Sequence, residues 1–172
     1  MQNSDFFEML EKLPVPDSRR STRGYGAVLG INHIVVQKMR TTPTKGTKDL
    51  DVRIVEFFLK LPIELQHYLV QKRLCDNPIE NDKDLFKFKH LNNMLEEMLA
   101  LGMSKMGFYS FLGIRNSVFD HAKERDYVMP NLAFLLETLK SFSDKEKLEF
   151  AIEYEVSEKK LNILKEKYED LE

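Results

Sequence analysis

Residues 21–40 read STRGYGAVLGINHIVVQKMR, and residues 104–123 read SKMGFYSFLGIRNSVFDHAK. A shift of 83 positions lays the first stretch on the second without a gap. Ser21 falls on Ser104, Gly24 on Gly107, Tyr25 on Phe108, Leu29-Gly30-Ile31 on Leu112-Gly113-Ile114, and Val35 on Val118. The shared Leu-Gly-Ile centre points to an internal duplication. Each copy has the parts of two short helices joined by a sharp turn. The serine can cap the first helix, and the glycine allows the positive φ of the turn. Apolar residues on either side hold the pair together.

The rest of the chain fits around these two stretches. Asp5 can open a short helix that Pro14-Val15-Pro16 ends. Asn32 caps the helix after the first turn, and residues 41–47 form a polar loop punctuated by Pro43 and Gly46. Helices over about 49–60 and 62–74 complete the first unit. The polar stretch CDNPIENDKD at 75–84 separates it from a second unit that repeats the order. Ser157 caps a last helix with Leu161, Leu164, Tyr168 and Leu171 spaced 3-4-3 as in a short heptad seam, which serves either as a packing stripe within the chain or as a dimer interface. Strand-type alternation is absent. The expected architecture is all-α: a unit over 1–75, a linker over 76–84, a second unit over 85–156 and an amphipathic helix over 157–172.

The net charge of −2 disguises a segregated distribution. Arg19, Arg20, Arg23, Lys38, Arg40, Lys45 and Lys48 lie within residues 19–48, which contain no acid, so one face suits an anionic partner. No apolar run approaches the ~18 residues of a membrane span. The N-terminus carries acids where a signal peptide needs bases, and Cys75 is alone. A cytoplasmic protein without a membrane partner is expected.

In a DNA-reading helix-turn-helix, a small residue in the first helix lets the second cross closely, and polar residues at the start of the second reach base edges. Gly26 is that small residue. Tyr25, Leu29, Ile31, Val35 and Val36 form the expected inward set. Thr22, Asn32, His33, Ile34 and Gln37 are left to contact bases: Asn and Gln pair with adenine, and Ile34 can touch a thymine methyl. Arg19, Arg20, Arg23, Lys38, Arg40, Lys45 and Lys48 would hold phosphates. This order of Ser/Thr, small residue, Leu-Gly-Ile, polar helix, loop and apolar helix resembles the lambda-repressor and Cro-like (Xre) family. In the second copy, Glu124-Arg125 followed by Pro130, Leu132, Leu135, Leu136 and Leu139 resembles that family's exit into its fourth helix. The resemblance implies two tandem units of that fold on double-stranded DNA.

The second copy departs from the pattern at two places. Tyr109 stands where Gly26 stands, and Asp120 where Gln37 stands. Lys105, Arg115, Asn116 and Ser117 remain as secondary DNA candidates, but Asp120, Glu124 and Asp126 nearly balance the bases there. The first copy is therefore the expected reader. No phosphate loop, nucleophile elbow or paired histidine motif is present, and His33, His67, His90 and His121 have no metal-ligand spacing with Cys75. The sequence is read as a non-enzymatic DNA-binding regulator without metal or cofactor. The resemblance adds a repressor of a phage or other mobile element. A palindromic site needs a second reader, hence a homodimer. Two alternatives stand beside it: an inhibitor or adaptor that binds a host protein on the same scaffold, and an architectural or plasmid-maintenance DNA-binding protein.

Overall fold

The computed structural model describes residues 1–171. The chain forms helices α1 (Asn3–Leu10), α2 (Thr22–Leu29), α3 (His33–Thr41), α4 (Asp49–Lys60) and α5 (Ile63–Cys75) in its first half. A four-residue helix α6 (Pro78–Asn81) follows. The second half carries α7 (Phe88–Leu101), α8 (Lys105–Leu112), α9 (Asn116–Arg125), α10 (Pro130–Leu139), α11 (Asp144–Tyr154) and α12 (Glu158–Glu169). Single 3-10 turns lie at Asp17–Arg19 and Lys83–Phe86. Among the described residues there is no strand, only an isolated bridge between Gln2 and Gly46. The fold class is all-α.

The duplicated stretches adopt the same local structure. The Ser21 hydroxyl accepts from the Gly24 amide at 3.1 Å, and the Ser104 hydroxyl from the Gly107 amide at 2.9 Å. Gly30 and Gly113 both sit in the left-handed region, at φ 70° and 67°. The Ile31 amide donates to the Gly26 carbonyl and the Ile114 amide to the Tyr109 carbonyl, each at 3.0 Å. These bonds satisfy carbonyls that a helix end otherwise leaves unpaired.

The two halves share one hydrophobic core, and their fourth helices, α4 and α10, pack on each other at its centre. Each also enters the opposite half. Phe57 of α4 lies 5.3 Å from Phe111 of α8 and 4.7 Å from Phe150 of α11. Phe134 of α10 lies under the guanidinium of Arg73 from α5, 4.3 Å away. The turns reciprocate: a Cβ on Gly30 would lie 2.5 Å from the Pro130 carbonyl carbon, and one on Gly113 2.7 Å from the Leu50 amide. Each turn glycine thus abuts the start of the other half's fourth helix, an approach only glycine permits.

Arg73 is the largest fully buried side chain. It donates to the carbonyls of Val28 (2.9 Å) and Phe134 (3.1 Å) and to Glu137 (3.1 Å), tying α5 and α2 to α10. Lys72 bonds the other Glu137 oxygen at 3.0 Å. Burial alone would raise the Glu137 carboxyl, but Arg73 and Lys72 outweigh it and hold Glu137 below its ordinary range.

Several expectations need correction. Residues 76–84, expected as a linker, carry α6 and the start of a 3-10 turn, and the first helix of the second half, α7, starts at Phe88. The 3-4-3 seam folds onto its own chain. Leu164 is fully buried, Leu161 is half-buried, and the Tyr168 hydroxyl donates to Glu149 at 2.6 Å. α12 packs on α11 and Lys167 reaches the Ala100 carbonyl, so of the four seam residues only Leu171, beyond the helix end, is well exposed.

Candidate nucleic-acid interface

α2 and α3 cross in close contact over Gly26, where a Cβ would stand 2.5 Å from the Ile31 carbonyl oxygen. Tyr25, Val28, Leu29, Ile31, Val36 and Met39 are buried beneath the crossing. Val36 and Met39, three apart, form the inward edge of α3. Val35 was expected inside, but it is exposed, and Met39 takes the place assigned to it. The outward face of α3 therefore carries Asn32, His33, Ile34, Val35, Gln37 and Lys38, with Arg40 and Thr41 at its end.

The base-contact candidates differ in freedom. His33, Ile34 and Gln37 are exposed, and Gln37 has no side-chain hydrogen bond to any described residue. Asn32 is exposed but its side-chain oxygen caps α3, accepting from the Ile34 amide at 2.9 Å. Its amide group is what remains to reach a base, so two-pronged adenine pairing falls to Gln37 instead. Thr22 is half-buried in the first turn of α2, in a hollow it shares with Arg20, Tyr25 and Arg40.

The phosphate-contact candidates Arg19, Arg23, Lys38, Arg40, Lys45 and Lys48 are exposed. Lys38 and Arg40 lie on α3 itself, while Lys45 sits in a loop, its carbonyl accepting from the Asn3 amide, and Lys48 lines a cleft against the second half. Arg20 is a correction. Its Nε donates to the Val15 carbonyl at 3.1 Å and approaches Asp17 at 3.2 Å, and a terminal nitrogen donates to the Glu11 carbonyl at 3.0 Å. That fork fastens the connection between α1 and α2 and is not a free arm.

In the second half, α8 and α9 lack the close crossing of α2 and α3. The Tyr109 ring is buried between Phe108 and Phe119, with centroids 6.2 and 5.8 Å away. Arg115, Asn116 and Ser117 are exposed at the start of α9, but Asp120 and Glu124 share its surface. The side-chain oxygen of Asn116 accepts from the adjacent Ser117 amide at 2.9 Å. Lys105 lies across aromatic rings, 5.4 Å from Phe119. Glu155 closes the start of α8 by accepting from the Ser104 amide (2.7 Å) and hydroxyl (2.6 Å).

Sequence reading missed the Arg73–Glu137 bridge. Its signal was an arginine continuing the buried edge of α5 after Leu69 and Val70, and a glutamate inside the leucine-rich α10. Among the described residues no helix is long and apolar enough to cross a membrane. No family model, curated protein or solved structure matches this chain.

Proposed function

We propose that this chain is a sequence-specific DNA-binding regulator that reads bases with α3. One observation carries the reading. The outward face of α3 presents His33, Ile34 and Gln37 together with Lys38 and Arg40, and the sequence from 19 to 48 contains no acid. Hydrogen-bonding and methyl-matching groups suit base edges, and the cations suit phosphates. The role of repressor, and of a mobile element as its source, rests on the resemblance to the lambda-repressor and Cro-like family alone. A homodimer would supply the second α3 that a palindromic site needs.

Selection of bound duplexes from a random pool tests this. A regulator enriches one motif, and a dimer enriches it as an inverted repeat. Recovery of unrelated sequences in equal measure would contradict the proposal.

The second reading is an adaptor that binds another protein. It draws on Met106, Tyr127, Met129 and Val156, which are exposed around α9 beside the half-buried Ile114 and Val118. Exposed apolar side chains gathered in one region mark interaction surfaces more often than scattered ones do.

A further inference from the structure

The departure at Tyr109 does more than weaken the second copy as a reader. In the first half, α3 closes directly onto Gly26. In the second, a tyrosine occupies the equivalent position, and α9 stands away from α8 beyond their common turn. A cleft of about 610 Å³ opens there, with the first turn of α4 from the other half as its opposite wall. That volume lies within the range of small-molecule sites, ~300–1,000 Å³.

The lining is amphipathic. Tyr109, Val118 and Met129 supply an aromatic and aliphatic side, and Lys48, Arg53 and Arg115 supply three cations. Asp49 also lines the cleft, and Asp51 lies behind it, buried and accepting from Asn131 at 3.1 Å. Glu56 adds a third carboxylate, paired with Arg53 at 3.4 Å, which leaves Arg115 and Lys48 as the cations of the cleft without an ion pair among the described residues. Arg53 is held at the edge by that pair and by the Tyr154 ring, whose centroid lies 4.2 Å from its guanidinium, while its buried Nε has no partner among the described residues. Arg115 is exposed at the start of α9, and its side chain makes no hydrogen bond to any described residue.

We infer that this cleft between α4 and α9 is a binding site for a small aromatic or aliphatic acid. The apolar part would lie against Tyr109, Val118 and Met129, and the carboxylate would face Arg115, with Lys48 adding to the field. A guanidinium presents paired donors that match a carboxylate. The cleft exists whether or not α3 reads DNA, so the two proposals stand or fall separately.

Calorimetric titration of the full chain with 2-naphthoate, its neutral analogue 2-naphthamide, and inorganic phosphate tests the site. The expected result is saturable binding of naphthoate about tenfold tighter than the amide, since a charge-assisted hydrogen bond separates them. Arg115→Gln should bring the acid down to the affinity of the amide and leave the amide unchanged. Val118→Trp should fill the cleft and abolish both. Arg115 is exposed and Val118 half-buried, and a thermal melt will show whether each variant remains folded. No saturable binding of naphthoate, equal affinity for acid and amide, phosphate binding as tightly as naphthoate, or full affinity in Val118→Trp would each overturn the inference.

Discussion

Tyr109 and Gly26 occupy one position of a duplicated pattern and have opposite consequences. Gly26 lets α3 approach, whereas the buried ring of Tyr109 fills the space and packs on Phe108 and Phe119. Tyr109→Ala removes a packed ring, so a loss of about 3–5 kcal/mol is expected in urea unfolding. A neutral or stabilising effect would mean that the ring strains the α8–α9 pair rather than supporting it. The Arg73–Glu137 bridge gives a second expectation. Glu137 sits below its ordinary value in the folded chain, so it stabilises fully above the unfolded value of 4.5 and loses that contribution as pH falls through its folded value. The urea midpoint should therefore decline below about pH 4.5, and Glu137→Gln should flatten the decline. Asp51 has the opposite sign, because burial raises its carboxyl above the ordinary aspartate value. Asp51→Asn is expected to be neutral or stabilising at pH 7, with the gain disappearing in acid.

At the scale of elements, legibility in the sequence follows the range of the interaction. Ser21, Ser104, Gly30 and Gly113 were readable because a cap or a left-handed turn is decided within a few residues. The outward placement of His33, Ile34 and Gln37 followed from helical spacing. Val35 did not, because two adjacent valines leave the phase of α3 open by one residue, and Met39 settles it. The cap made by Asn32 was readable, like those of Ser21 and Ser104, whereas Arg20 looked free because its carbonyl partners, Val15 and Glu11, leave no trace in a pattern of side chains. The partners of Phe57 and Phe134 were also unreadable: an apolar stripe records that a face is buried, not which half covers it. Turn substitutions measure how closely the elements meet. Gly30→Ala and Gly113→Ala combine a positive φ with backbone under 3 Å away, so each should destabilise by more than about 2 kcal/mol. Gly46→Ala is the control, since the nearest atom to its Cβ would be 3.9 Å away. Equal melting of all three variants would contradict the reciprocal packing of the turns.

In the whole molecule, α4 and α10 each complete the core of the other half, and Arg73 links them across that core. A fragment of residues 1–75 would lose the cover that α10 gives Arg73 and Val28, leaving a charge and apolar surface in water. It should therefore be largely unfolded by circular dichroism, while the full chain melts in one transition. The shared core also fixes α3 relative to the rest, so its outward face is presented by a rigid support. The most direct measurement of the proposed function is binding to a selected duplex and to its scrambled counterpart, for the unchanged chain, Gln37→Ala and Lys38→Ala. Reading by α3 predicts that Gln37→Ala loses about 1–3 kcal/mol on the selected duplex and little on the scrambled one, while Lys38→Ala weakens both alike. If Gln37→Ala retains full affinity and full preference for the selected duplex, α3 is not the reader.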